Sequence, residues 1–286
     1  MIDIRSSSTL QIAATLAVAV LASLAGPASA QAPAPGAFLG AVLISDDAEA
    51  ASAFYRGLFG WEMERAADGG YAVRHHGRMI AGISPLQNAK ENIEESFWLV
   101  GLVVADVETA LEKASQSGGK VFENAERVRD FGHFAVIADR QQAPLMLIEV
   151  GREPLGGGSG QGSWVWPELW TDDVDDAAAF YSEVLGLGHE QLDRGGSLYH
   201  VLSSGGAPRA GIVRIPEELE KLEPGWAPYV AVADLDGSLA EVTRLGGTVV
   251  FRTAEHPAQA VVALIRDPTG AVLFLYQIGS LQEASK

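Results

Sequence analysis

The 286-residue chain contains no cysteine. Disulfides, Cys-ligated zinc, iron–sulfur clusters, thiol nucleophiles and a lipid-carrying N-terminal Cys are therefore excluded. Positive charge is scarce as well: 20 Lys plus Arg stand against 37 Asp plus Glu, a formal net charge of -17. Both halves share the deficit, with 10 basic against 17 acidic residues in 36–151 and 7 against 17 in 162–281. Such a chain repels phosphate backbones, so nucleic acid is not an expected partner. No apolar run beyond residue 30 approaches the roughly 20 residues that cross a bilayer, so no membrane span is expected after processing. What remains is ordinary for a folded protein. Hydrophobic residues make up 48% and charged residues 20%, at a length that suggests two domains.

Residues 1–30 read as an export signal. Arg5 lies in a short polar start, an apolar stretch runs from Leu10 to Leu24, Gly26-Pro27 breaks it, and Ala28-Ser29-Ala30 supplies small residues before Gln31. Cleavage after Ala30 and a periplasmic or secreted product are expected, with 31–35 as a flexible leader.

The rest is a duplication. Asp47, Phe54, Tyr55 and Gly60 recur 126 residues later as Asp173, Phe180, Tyr181 and Gly186, and Asp106, Gly118-Gly119 and Asp139 recur 128 residues later as Asp234, Gly246-Gly247 and Asp267. Between the copies, the glycine-rich run 156–163 lacks the following helix and the Lys of a phosphate loop, and it reads as a linker. The expected domains are 36–151 and 164–281, joined by 152–163. Each copy divides again. An apolar strand from Phe38 to Ile44 precedes a helix capped by Asp47, then strands Tyr71–His75 and Met79–Ile83 flank a His76-Gly77 turn; a second such unit starts at Phe97, with its helix after Asp106. Both copies are thus paired βαβββ units of an α+β fold.

The capping Asp, the Phe-Tyr pair, the Leu58-Phe59-Gly60-Trp61 run and Asp267-Pro268-Thr269-Gly270 resemble the vicinal oxygen chelate superfamily, which includes glyoxalase I, extradiol dioxygenases and bleomycin-resistance proteins. Trp166-Pro167-Glu168-Leu169 and Thr171 look most similar to its tandem glyoxalase-like members. The resemblance covers nearly all of 36–281 and implies two cups of eight strands each. Fold does not fix function.

The resemblance also says where a metal should sit. In metal-using members a ligand lies seven residues before each helix-capping Asp, and a late carboxylate lies seven beyond the Asp of the Asp-Pro-x-Gly turn. Those positions hold Gly40, Leu99 and Met146 in the first copy and Trp166, Ala227 and Phe274 in the second. The fourth position is expected near Ala81 and Ala210. A divalent ion needs three or four N, O or S donors, so neither a metal nor a cofactor is expected at these positions. Elsewhere, His75 and His76 are adjacent on a strand end and should point to opposite faces. His133, His189, His200 and His256 show no ligand spacing, and Ser203-Ser204 and Ser280 lack a nucleophile elbow.

Strand alternation under this alignment assigns the cup linings. The first cup receives Gly40, Val42, Ile44, Leu99, Gly101, Val103, Met146 and Ile148. The second receives Trp166, Glu168, Trp170, Ala227, Tyr229, Ala231, Phe274 and Tyr276. The second is aromatic with one carboxylate, and Trp166, Glu168, Trp170, Tyr229 and Phe274 are its candidate ligand-binding residues. Packing, including an interdomain interface, is the competing use of those aromatics. Glu168 requires a partner, either water, Arg209, Arg214 or a ligand's polar group. Three functions stay open: an exported protein that binds or sequesters a small planar molecule without metal; a lyase, isomerase or dioxygenase working through other ligands; and an interaction module with self-filled cups. Catalytic residues, and whether any reaction is catalysed, are not legible, nor is the oligomeric state.

Overall fold

The computed structural model describes residues 33–86, 96–128, 131–151, 155–156, 160–194, 197–215, 222–252 and 261–278. The export signal, His256, Ser280 and parts of the linker lie outside them.

Strand β1 (Phe38–Ser45) leads through helix α1 (Ala48–Phe59) to β2 (Glu62–Arg65), β3 (Tyr71–His75) and β4 (Arg78–Pro85); β5 (Phe97–Val103), α2 (Val107–Gln116), β6 (Lys120–Val128), β7 (Gly132–Ala138) and β8 (Pro144–Val150) repeat the plan. The second half contains β9 (Trp164–Thr171), α3 (Val174–Leu185), β10 (Gly188–Arg194), β11 (Ser197–Ser204) and β12 (Ala207–Arg214), then β13 (Gly225–Val232), α4 (Leu235–Arg244), β14 (Thr248–Arg252), β15 (Val262–Arg266) and β16 (Val272–Gln277). The four helices among the described residues start at the aspartates read from the sequence. The Asp47, Asp106, Asp173 and Asp234 carboxylates each accept a backbone N–H three residues on, at 2.7 to 3.1 Å.

Each half forms one eight-stranded sheet, ordered β2-β3-β4-β1-β5-β8-β7-β6 and β10-β11-β12-β9-β13-β16-β15-β14. The two βαβββ units of a half meet where β1 pairs antiparallel with β5, and β9 with β13. Both central strands carry an irregularity at the same point, between Phe38 and Gly40 and opposite Trp164 and Trp166. It matters for side-chain direction, because an extra residue reverses the facing of everything before it. Trp164 consequently leaves the cup and packs at ring-centroid distances of 5.2 Å from Trp61 and 5.4 Å from Trp98.

The helices are shared between the halves. Helix α1 lies beside α4, and α2 beside α3. One core joins Phe54, Tyr55 and Trp61 to Val230, Val232 and Leu273. The other joins Leu102, Leu111 and Leu147 to Phe180, Tyr181 and Trp226. The two expected domains are packed together, the helical faces of both sheets forming one layer. Gly119 and Gly247 permit it, since a Cβ on Gly119 would lie 2.5 Å from Phe180 and one on Gly247 2.8 Å from Phe54. The cups face away from this layer, each with a core drawn from one half alone. The second cup's aromatics therefore do not form the interdomain interface.

Two aspartates are buried in the layer in matching places. Asp139 Oδ1 accepts from the N–H groups of Gln141 and Ala143, and Asp267 Oδ1 from those of Thr269 and Ala271. Each faces a tyrosine of the other half, Tyr181 and Tyr55 respectively. Burial pushes the Asp139 carboxyl up to about 6 and raises that of Asp267. The phenols of Tyr55 and Tyr181 are raised too, by burial first and by those carboxylates second.

Candidate functional site

The positions that would hold a metal in this fold do not fit one. Leu99, Met146, Ala227 and Phe274 are buried hydrocarbon or thioether side chains, and Gly40 and Trp166 add no ligand. At Gly40 the backbone itself closes the space: φ is 154°, and a Cβ there would lie 2.2 Å from the carbonyl oxygen of Ile80. Ala81 and Ala210, expected near the fourth positions, lie in the helix-side cores. Their neighbours Gly82 and Gly211 pair with the cup residues Val42 and Glu168. The fourth position is therefore glycine in both cups. Among the described residues, no three His, Cys, Asp or Glu side chains are grouped to hold an ion.

The described histidines lie elsewhere. His75 and His76 do not point apart as strand alternation implied, because β3 ends at His75 and His76 takes the turn at φ 51°. Their ring centroids lie 4.1 Å apart, and His75 Nε2 donates to the Gln161 carbonyl at 2.8 Å. His133 meets Glu149 at 3.1 Å, His189 meets Ser182 at 2.9 Å, and His200 Nε2 lies 3.0 Å from Asp175.

The first cup is full. Val42, Ile44, Leu99, Phe122, Phe131, Phe134, Met146 and Ile148 pack together, leaving an apolar cavity of about 20 Å³. Leu155, from the segment that joins the halves, is buried among them. Its neighbour Gly156 is held by a bond from its N–H to the Met79 carbonyl at 2.9 Å and by Arg78 Nε donating to its own carbonyl at 3.0 Å. Further along, Trp61 Nε1 donates to the Gly162 carbonyl at 2.8 Å, and Gln161 Oε1 accepts from Ala233 N at 2.6 Å. The described parts of this segment are docked rather than free.

The second cup is different in kind. Phe274 stacks between Tyr229, at 4.3 Å, and Trp170, at 5.3 Å. Beside this stack lies Glu168, 7% exposed, whose Oε1 accepts from the Tyr199 hydroxyl at 2.6 Å and whose Oε2 accepts from the Tyr229 hydroxyl. Trp166 Nε1 donates to the Tyr199 oxygen at 3.1 Å. An indole nitrogen only donates, so the Tyr199 proton is committed to Glu168. Burial pushes the Tyr229 phenol well above its ordinary range, and the Glu168 charge adds to the effect, so Tyr229 also remains a donor. Two tyrosines thus serve as the partners that Glu168 required. Arg214 does not fill that role, because alternation along β12 puts it on the helix side with Ala210 and Ile212, and the Arg209 stem lies against Gly36. Trp170 Nε1 is buried with the Tyr229 phenol beside it.

The structure therefore brings together all five residues singled out in the sequence and adds Tyr199 and Gly211. A Cβ on Gly211 would lie 1.9 Å from the Tyr199 hydroxyl oxygen and 2.9 Å from Trp166 Nε1. The alternation of Tyr199 and Val201 on β11 was the available signal, but nothing in the sequence set that strand's register against β12.

A family model described as Glyoxalase/Bleomycin resistance protein/Dioxygenase superfamily matches residues 38–146, and one described as Glyoxalase-like domain matches 167–275. The CFP32 protein of Mycobacterium tuberculosis (strain CDC 1551 / Oshkosh), provisionally named a glyoxylase, is 31% identical over 238 residues, 80% of this chain and 90% of its own. The anthracycline biosynthesis protein DnrV of Streptomyces peucetius is 29% identical over 257 residues, 83% of this chain and 92% of its own. Among solved structures, 2,2',3-trihydroxybiphenyl 1,2-dioxygenase from Sphingomonas wittichii strain RW1 aligns with TM-score 0.61 at 17% identity, over 86% of this chain and 93% of that one. The Mn(II)-bound glyoxalase from Novosphingobium aromaticivorans aligns with TM-score 0.61 at 16% identity, over 85% of this chain and 82% of that one. At those identities the likeness is one of fold.

Proposed function

The chain belongs to the glyoxalase/bleomycin resistance/dioxygenase superfamily, and on that premise we propose that it is a binding protein whose second cup holds a small, flat organic molecule without a metal. The observation that carries this reading is the asymmetry of the cups. The first is lined by apolar side chains and by Leu155, whereas the second is lined by aromatic rings around a buried carboxylate held by two tyrosine hydroxyls. Aromatic faces with a few placed polar groups make a pocket that binds and orients a planar ligand. The name of DnrV, which refers to anthracycline biosynthesis, agrees with a flat organic ligand.

Mass spectrometry of the native protein, followed by binding of any released compound to the emptied protein, tests this. One molecule bound per chain, with affinity lost in Trp166→Ala and with melting temperature retained, is the expected result. If that variant unfolds the second half and the compound binds the remainder unchanged, those aromatics are core and the reading fails. We also propose export, with processing between Ala30 and Gln31; an intact mass that retains Met1 on protein outside the cytoplasm contradicts it.

A further inference from the structure

We propose that Asp139 is a proton-operated latch on the joint between the halves: with its proton it closes the edge where α2 meets α3, and without it that edge opens to water. The inference is independent of the binding reading, since the cups face away from this joint. Asp139 lies in the turn between β7 and β8 and is 1% exposed. Its Oδ1 takes the N–H groups of Gln141 and Ala143, which leaves the buried Oδ2 for the Tyr181 hydroxyl of the other half. That hydroxyl already donates to the Ala143 carbonyl at 3.2 Å. A phenol has one proton to give. A protonated carboxyl can donate to the Tyr181 oxygen and satisfy every group, whereas an ionised one competes with Ala143 for the same proton.

The charges around the latch do not relieve an ionised Asp139. From α3, Asp176 opposes a second negative charge. Arg140, the cation beside Asp139 in the turn, is held by the Asp176 carboxylate, at 2.9 Å from Nε and 2.6 Å from Nη2, and by the Ser117 carbonyl. From α2, Lys113 pairs with Glu183 at 3.8 Å. Burial therefore dominates, and the ionised group is relieved only when water reaches it between α3 and the turn. The opposite edge is built differently. There Asp267 Oδ1 gains a third donor, the Thr269 hydroxyl at 2.9 Å, whereas the matching Gln141 sends its side-chain N–H to the Asp173 carbonyl of α3 at 2.9 Å. The turn that departs from Asp-Pro-x-Gly is thus the one that grips the other half through Arg140 and Gln141, with the titrating carboxyl beneath that grip.

Hydrogen exchange of single backbone amides in the full mature chain, each rate corrected for the intrinsic rate of its amide, tests the latch. A carboxyl that titrates at about 6 in the closed joint and at about 3.9 in the open one makes opening about tenfold more frequent at pH 8 than at pH 5. The amides of Ala143 and of Ala177 to Tyr181 should therefore lose about tenfold in protection across that interval, and at pH 8 they should exchange faster than the amides of β9 and β13. Asp139→Asn, which keeps an oxygen for the backbone donors, should abolish the fall, and Tyr181→Phe, which keeps the ring, should shrink it. An equal fall in Asp139→Asn overturns the latch. So do joint amides that exchange no faster than those of β9 and β13 at pH 8, because the edge then opens only when the whole protein unfolds. Should Asp139→Asn fail to fold, Tyr181→Phe decides, and an undiminished tenfold fall in that variant overturns the proposal.

Discussion

The Tyr199 hydroxyl occupies the space that a side chain at Gly211 would need: a Cβ there would lie 1.9 Å from its oxygen. The missing methyl group thus positions the donor that holds Glu168. Gly211→Ala should displace Tyr199, leave one oxygen of a buried carboxylate without its partner, and cost about 1–3 kcal/mol. Chemical denaturation checks the cost, and ligand affinity should fall with it. Tyr199→Phe in the same assay separates loss of the hydroxyl from crowding of the cup.

Gly40 invites the opposite experiment, restoration of a ligand. Gly40→His should not create a metal site, because its Cβ would meet the Ile80 carbonyl oxygen at 2.2 Å and Leu99 and Met146 supply no nitrogen or oxygen donor beside it. The expected outcome is a less stable protein, by about 2 kcal/mol or more, with no gain in manganese or zinc binding. Thermal melting with and without added metal decides it, and a rise in melting temperature with metal would contradict the geometry.

Leu155 should behave as a core residue although it lies in the segment between the halves. Leu155→Ala should enlarge the cavity of the first cup and cost about 2–3 kcal/mol, within the range for buried leucines. A change below about 0.5 kcal/mol would mean that the segment does not close the cup. Ligand binding in the second cup should be unaffected.

The buried aspartates of the helical layer give stability a pH dependence of defined sign. The Asp139 carboxyl titrates near 6 in the folded protein, against about 3.9 in an unfolded chain. A folded-state value above the unfolded one means that folding favours the protonated acid. The stability it contributes is fully present below about pH 3.9 and is lost as pH rises through 6. Asp267 acts in the same direction. Asp139→Asn removes the titration while keeping an oxygen for the backbone donors, so wild-type stability measured relative to the variant should decline by up to about 3 kcal/mol between pH 4 and 7. Urea denaturation across that range reads it. A parallel dependence in both proteins would show that Asp139 does not titrate there.

Much of the fold was legible because duplication repeats the local signals. Asp47, Asp106, Asp173 and Asp234 cap helices where the sequence placed them, and Gly60 and Gly186 end two of those helices in the left-handed conformation. The linings of both cups followed from alternation anchored at Gly40, Leu99, Trp166 and Ala227. What was not legible depends on irregular or non-local geometry. The irregularity at Trp164 reverses its facing, and a positive φ at His76 brings its ring onto His75. The shared helical layer and the hydroxyls that hold Glu168 arise between elements whose register no single strand encodes.

The stoichiometry and location of binding test the assignment of a ligand to the second cup most directly. Calorimetric titration of the emptied protein with the compound released from the native one should give one site per chain. That site should be lost in Trp166→Ala and retained in Met146→Ala, which alters the first cup. Two equivalent sites per chain, or a single site lost in Met146→Ala and kept in Trp166→Ala, would contradict the assignment of binding to the second cup.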